Sequence, residues 1–201
     1  MRKQLEWHDP PTIPAPDEHF CAELSLTPLT AQILQQRGFT SLETARPFLD
    51  PAHYRPAPST ELLDLEIAAG RLEAAIRGHR TILVWGDFDV DGQTATALLV
   101  DGLRGLGAEV VYYIPHRLRE SHGILLDSLR DQLDRVRPGV LLSCDTGVSA
   151  HEAIDYAKSR GVITLVTDHH DLPPALPAAD AVVNPKRLPH DHALAALPGV
   201  G

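Results

Sequence analysis

Thr81-Ile-Leu-Val-Trp-Gly-Asp-Phe-Asp-Val-Asp-Gly92 is the stretch from which the architecture is read. Its first five residues, Thr81 to Trp85, are apolar or β-branched without a polar alternation. Such a run fits a short strand covered on both faces. Aspartates at 87, 89 and 91 and a glycine at 92 then follow directly. Downstream, helical and strand-like periodicities alternate. Thr94–Leu106, Leu125–Val136 and Ser149–Arg160 read as helices; Glu109–Ile114, Val140–Ser143, Val162–Val166 and Ala181–Val183 read as strands. That alternation predicts βαβ units, hence an α/β fold: a parallel sheet with helices on both faces. Asp171 to Asp180, rich in Pro and Ala, is expected to be a surface loop.

Upstream the pattern differs. Residues 1–27, with Pro10, Pro11, Pro14 and Pro16, read as an extended arm. Leu29–Arg37 and Ser41–Leu49 read as short helices, Gly38 ending the first and Ser41 capping the second. Pro51, Pro56 and Pro58 break the chain before a longer helix over Thr60–Gly78, whose Leu63, Ile67, Leu72, Ala75 and Ile76 recur at helical spacing. The expected organisation is an arm and short helical N-terminal segment over 1–78, then the α/β domain over 79–201. The closing Leu197-Pro-Gly-Val-Gly201 is turn-like and reads as a domain cut short.

The 201 residues are 43% hydrophobic and 22% charged, which suits a folded chain. No apolar run is long enough for a membrane span, and Met1-Arg2-Lys3 leads into no apolar signal segment. Cys21 and Cys144 are too far apart for zinc spacing or a disulfide framework, so the cytoplasm is the expected compartment. The formal charge of −9 argues against gripping nucleic acid by bulk charge. It leaves room for a local basic groove, and carboxylates that hold metal ions inflate that sum.

Three acidic clusters each follow a strand: Asp87, Asp89 and Asp91; Asp145 in Asp145-Thr-Gly147; and Asp168-His169-His170. In an open parallel sheet they would converge at the carboxyl edge. So many like charges repel unless cations neutralise them. Carboxylate oxygens with imidazole nitrogens suit Mn²⁺ or Mg²⁺. Two such ions about 3.5–4 Å apart would clamp a phosphodiester and activate a water. Taken alone, Asp145 reads better as a helix cap; the three clusters together point to a metal site. A calcium-binding EF-hand loop is excluded, because its twelfth position is Leu98 and a strand precedes it. The haloacid-dehalogenase-type phosphatase pattern, with Asp87-Phe-Asp89 as nucleophile motif and Ser143, Lys158, Asp168 and Asp171 in support, is the rival reading. It leaves Asp91, Asp145, His169 and His170 without a role. Neither a P-loop nor a dinucleotide-binding glycine motif is present.

Gly86-Asp-Phe-Asp-Val-Asp-Gly92, Asp145-Thr-Gly147 and Asp168-His-His170 resemble the successive motifs of the DHH phosphoesterases. Ile114-Pro-His-Arg117, Val183-Asn-Pro-Lys186, the closing segment and the N-terminal Leu29-Thr-Ala-Gln-Ile-Leu, Arg37-Gly38 and Phe48-Leu-Asp-Pro51 are similar to the RecJ branch. The resemblance implies a two-metal, 5′-to-3′ exonuclease for single-stranded DNA, acting in repair and recombination. Single-strand-binding and helicase proteins are the implied partners, with no membrane. It implies Asp87, Asp89, Asp91, Asp145 and His169 as metal-site residues, Asp168, His169 and His170 as catalytic residues, and Arg117 with His116 as strand contacts. Trp85 stands where many members carry a ligand histidine, and Glu120-Ser-His-Gly123 lacks the aromatic usual before that glycine. A further acidic ligand and a second domain are expected beyond the residues given, so this stretch alone should bind an ion yet turn over DNA poorly. The alternatives are a DHH phosphodiesterase for oligonucleotides or cyclic dinucleotides, the phosphatase above, and a non-catalytic replication scaffold.

Overall fold

The structure is a computed structural model that describes residues 16–120 and 122–201. Of the arm expected over residues 1–27, residues 1–15 lie outside the described residues. The chain divides into two compact units, Met1–Pro56 and Ala57–Gly201.

Among its described residues the first unit holds three short α-helices, α1 (Glu18–Glu23), α2 (Pro28–Gln36) and α3 (Leu42–Leu49). Helix α1 replaces the extended chain expected there: Asp17 caps it by accepting from Phe20 N–H, a local bond no periodicity reveals. Helices α2 and α3 lie where expected. Thr27 caps α2, and Ser41 and Thr44 form a reciprocal capping box on α3. Phe20, Ala31 and Ala45 form the small core of this unit.

After a 3-10 turn at Ser59–Glu61, the second unit continues with helix α4 (Leu65–Arg77), which starts later than its periodicity suggested. Asp64 adopts φ +63, outside the helical range, and breaks the run ahead of Leu65. Asp64 accepts from Val182 N–H at 3.1 Å and pairs with Arg187 at 2.7 Å, tying the helix start to the far strand. Ala68 and Ala75 of α4 join the sheet core, so this helix belongs with the sheet and not with the lead-in.

Five strands follow: β1 (Ile82–Trp85), β2 (Val110–Tyr113), β3 (Val140–Cys144), β4 (Ile163–Thr167) and β5 (Ala181–Val183). All pair in parallel in the order β2-β1-β3-β4-β5. Side chains alternate between the faces. Ile82, Val84, Val140, Leu142 and Leu165 meet Ala95, Val100 and Leu103 of α5 (Val90–Gly105), together with α4, on one face. Leu83, Trp85 and Leu141 meet Leu129 and Leu133 from one further helix and Ala153 and Ala157 from another on the opposite face. A short helix α6 (Arg117–Glu120) precedes those two, α7 (Leu126–Val136) and α8 (His151–Ser159). Both faces are thus covered, as near-continuous apolar strands require.

Helix α5 begins at Val90, four positions before its expected start, because Asp89 caps it: Oδ1 accepts from Gly92 N–H at 2.9 Å. Asp91 therefore sits in the first turn of a helix and not in a loop. A side chain at Gly92 would lie 2.6 Å from the Asp87 Cβ, so only glycine lets the helix start this close to the end of β1.

Candidate metal centre

The chain runs from β1 to β2 on one side and returns to β3 on the other. The strand order thus reverses between β1 and β3, and the crevice beyond their carboxyl ends is where open α/β sheets bind ligands. Asp87, Asp89 and Asp91 leave β1, Asp145 leaves β3, and Asp168, His169 and His170 leave the adjacent β4.

Asp145 is at the centre. It follows β3 with φ +60, a left-handed conformation that aspartate tolerates better than most residues. It caps no helix: the N-cap of α8 is Ala150, without a side-chain bond. Asp145 is 1% exposed, and its Oδ1 is buried without a hydrogen-bond partner. His169 Nε2 lies 3.0 Å from that oxygen but not in hydrogen-bonding alignment, and 3.5 Å from Asp91 Oδ2. Asp145, His169 and His170 each offer a donor atom within 4.8 Å of the others. Burial, then the charges of Asp91 and Asp89, push the Asp145 carboxyl up to about 7. An orphaned buried carboxylate oxygen amid other carboxylates and imidazoles fits a hard or borderline divalent cation.

The remaining residues divide by what they bond. Asp89 is committed through Oδ1 to capping α5 while its charge bears on Asp145. Asp87 is buried, accepts from Phe88 N–H at 2.6 Å, and lines a cleft of about 680 Å³ with Asp89, Thr146, Asp168 and His170. Asp168, 5% exposed, is a brace. Its Oδ1 accepts from the His169 and His170 N–H groups and meets His170 Nδ1 at 2.8 Å, while Oδ2 accepts from Val148 N–H. Nδ1 of His170 is thereby fixed and Nε2 is left for other chemistry. Burial would lower the His170 pKa, but the Asp168 hydrogen bond and the charges of Asp168, Asp145 and Asp87 outweigh it and hold the imidazole above its usual range.

Arg117 opens the short helix α6, and its guanidinium lies 5.0 Å from the centre of the Phe88 ring, which lines the cleft. His116 is exposed and accepts from Leu118 N–H through Nδ1, a local bond at the start of that helix. Glu120 holds the segment in place by accepting from Tyr113, Ser128 and His116 N–H. Trp85 is buried in the core on the α7 and α8 side of the sheet, packed on Tyr113 at 4.6 Å with its Nε1–H donated to Gly123 O. The phosphatase rival loses its supporting cation, because Lys158 donates to the Ala178 carbonyl, and its Asp171 pairs with Lys186.

The sequence marks the closing segment as turn-like, but sequence reasoning missed what the turn at 198–201 holds. Gly199 N–H and Val200 N–H each donate to the Asp91 carboxylate at 2.8 Å. Backbone donors are common to almost every residue, so no signal in the sequence could have found them.

The fold and this cluster define a class: the chain belongs to the DHH family, its residues 81–197 matching the family's N-terminal domain. Within that class it is similar to the single-stranded-DNA-specific exonuclease RecJ of Bacillus subtilis, 36% identical over 89% of this chain and 23% of that protein. It is also 36% identical to RecJ of Thermus thermophilus, over 94% of this chain and 27% of that protein. The crystal structure of RecJ in complex with Mn²⁺ from Thermus thermophilus superposes with a TM-score of 0.67 at 31% identity, over 90% of this chain and 24% of that one. The chain therefore spans about a quarter of the length of these relatives. Among the described residues no helix is long and apolar enough to cross a membrane.

Proposed function

We propose that this domain is the cation-binding part of a metal-dependent phosphodiester hydrolase that degrades single-stranded DNA from its 5′ end, in the cytoplasm, during repair and recombination. The observation that carries it is the buried, unpartnered Asp145 oxygen 3.0 Å from His169 Nε2, which also lies 3.5 Å from Asp91, at the switch point of the sheet. The likeness to single-strand-specific RecJ exonucleases supports the substrate, and the Mn²⁺ in a similar solved structure supports the cofactor. Asp145 and His169, with Asp91 3.5 Å from His169 Nε2, would hold divalent Mn²⁺ or Mg²⁺, two ions in all, and Asp87 and Asp89 would complete the acidic set as ligands or as negative charge beside them. Bound there, such ions supply Lewis acidity and a water of lowered pKa. His170, its Nδ1 held by Asp168, would offer its Nε2 to the phosphate. Arg117, with His116 beside it, would hold a strand phosphate at the cleft. Single-strand-binding and helicase proteins are the proposed partners.

The test is a strand labelled separately at each end, offered to the protein in its full natural length. Mn²⁺-dependent release of nucleotides from the 5′ end, abolished by chelator, is the expected result. Release from the 3′ end, or degradation indifferent to chelator, overturns the reading. Arg117→Ala is expected to weaken strand binding across all sequences and to reduce the slope of log affinity against log salt by about 1, one phosphate contact. A salt titration of strand binding checks it, and an unchanged slope removes Arg117 from the interface.

A further inference from the structure

The two backbone bonds to Asp91 come from one tight turn, Pro198–Gly201, closed by Gly201 N–H donating to Pro198 O at 3.0 Å. Its two central residues, Gly199 and Val200, aim consecutive N–H groups at one carboxylate, one to Oδ2 and one to Oδ1, both at 2.8 Å. Consecutive backbone donors converging in this way form a concavity for an anion. Here the anion is a side chain of the chain itself. The same turn also touches Asp145. A Cβ built on Gly199 would stand 2.7 Å from Asp145 Cγ and 2.8 Å from its Cβ, closer than real atoms approach. Val200 packs against the sheet-core cluster that includes Leu142 and Val183, which anchors the turn.

One glycine thus grips one acidic residue of the cluster by a hydrogen bond and abuts another by close packing. From this geometry we infer that Gly199 is a positioning residue for the cation centre, a wedge that sets the spacing of Asp91 and Asp145. The inference rests on the cation-binding reading above and assigns a role to a residue with no side chain to coordinate. Two N–H donors also hold the Asp91 carboxylate in one orientation, so no rotamer search precedes ion binding. Only glycine serves, because any side chain would drive Asp145 away or lift the turn off Asp91.

The experiment has two arms. In the first, the wild-type protein is titrated with Mg²⁺ while its backbone amide resonances are followed by NMR. The Gly199 and Val200 amides are expected to shift with the same midpoint as the overall binding isotherm. Absence of any Mg²⁺ binding overturns the cation centre and the wedge together. Binding without a response at these two amides overturns the wedge alone. In the second arm, Gly199→Ala is titrated with Mn²⁺ by calorimetry, and its melting temperature is recorded. The expected result is a loss of affinity of at least about tenfold, the scale seen when a group supporting a metal ligand is removed. A merely structural glycine would lower the melting temperature and leave the Mn²⁺ affinity of the folded protein intact, and that result overturns the inference. If the variant does not fold, the wild-type amide titration decides.

Discussion

Asp145→Asn is expected to raise the melting temperature of the cation-free protein while removing its affinity for Mn²⁺. Both effects come from one buried carboxylate. Asp145 is almost wholly inaccessible, its Oδ1 has no hydrogen-bond partner, and the charges of Asp91 and Asp89 bear on it. Without a cation these like charges disfavour the folded state. Asparagine keeps the shape, tolerates the left-handed backbone at φ +60, and removes the charge. It also gives up the anionic oxygen beside His169, where the ion is proposed to sit. Loss of an outer supporting group costs metal sites about ten- to a hundredfold, so loss of a central ligand is expected to exceed about a hundredfold. Thermal melts with and without Mn²⁺, together with calorimetry, check both halves. The wild type should gain stability from Mn²⁺ and the variant should not. A variant that melts lower than the wild type and still binds Mn²⁺ would show Asp145 to be a structural residue.

The second expected result is that cation affinity falls steeply as the solution is acidified through neutrality. Burial and the neighbouring carboxylates raise the Asp145 carboxyl to about 7, and a protonated carboxyl cannot serve as an anionic ligand. Affinity should be fully present above about pH 7 and drop about tenfold per pH unit below it, one proton competing for one ligand. The stability of the cation-free protein runs the opposite way. The carboxyl binds its proton more tightly when folded than when unfolded, where its pKa is about 3.9. Stability therefore declines as pH rises from about 4 to about 7. His170 acts in the same sense: its raised pKa contributes stability at low pH that is lost as pH rises through the folded value. Mn²⁺ should cancel this decline. Calorimetric titrations at pH 5, 6, 7 and 8 test the point, and an affinity flat across that range would place the Asp145 carboxyl outside the ion's reach.

Much of the architecture is legible in one dimension. The apolar runs at Ile82, Val140, Ile163 and Ala181 are short, bounded by glycine, proline and polar residues, and separated by amphipathic segments. Such patterns report which residues must leave water, and alternation of the two kinds implies a parallel sheet. The donor types were legible too, because aspartate and histidine crowded after strands have few structural reasons to recur three times. Element starts were less legible. The cap at Asp89 and the break at Asp64 depend on single local bonds and one positive φ, and neither disturbs the apolar period.

The division of labour among the acidic residues came only with the packed fold. Asp89 and Asp145 look alike in sequence, each following an apolar strand. Asp89 closes a helix start, whereas Asp145 turns back toward His169. Asp168 belongs to the motif that names the family, yet it braces the loop after β3 from behind. Asp91 is held by amides 108 and 109 residues further along the chain. Periodicity and composition carry the local terms, hydrophobic burial and side-chain charge. Which groups finally meet depends on strand order, crossover and close approach between distant segments, and backbone donors enter those meetings without leaving any mark on the residue alphabet.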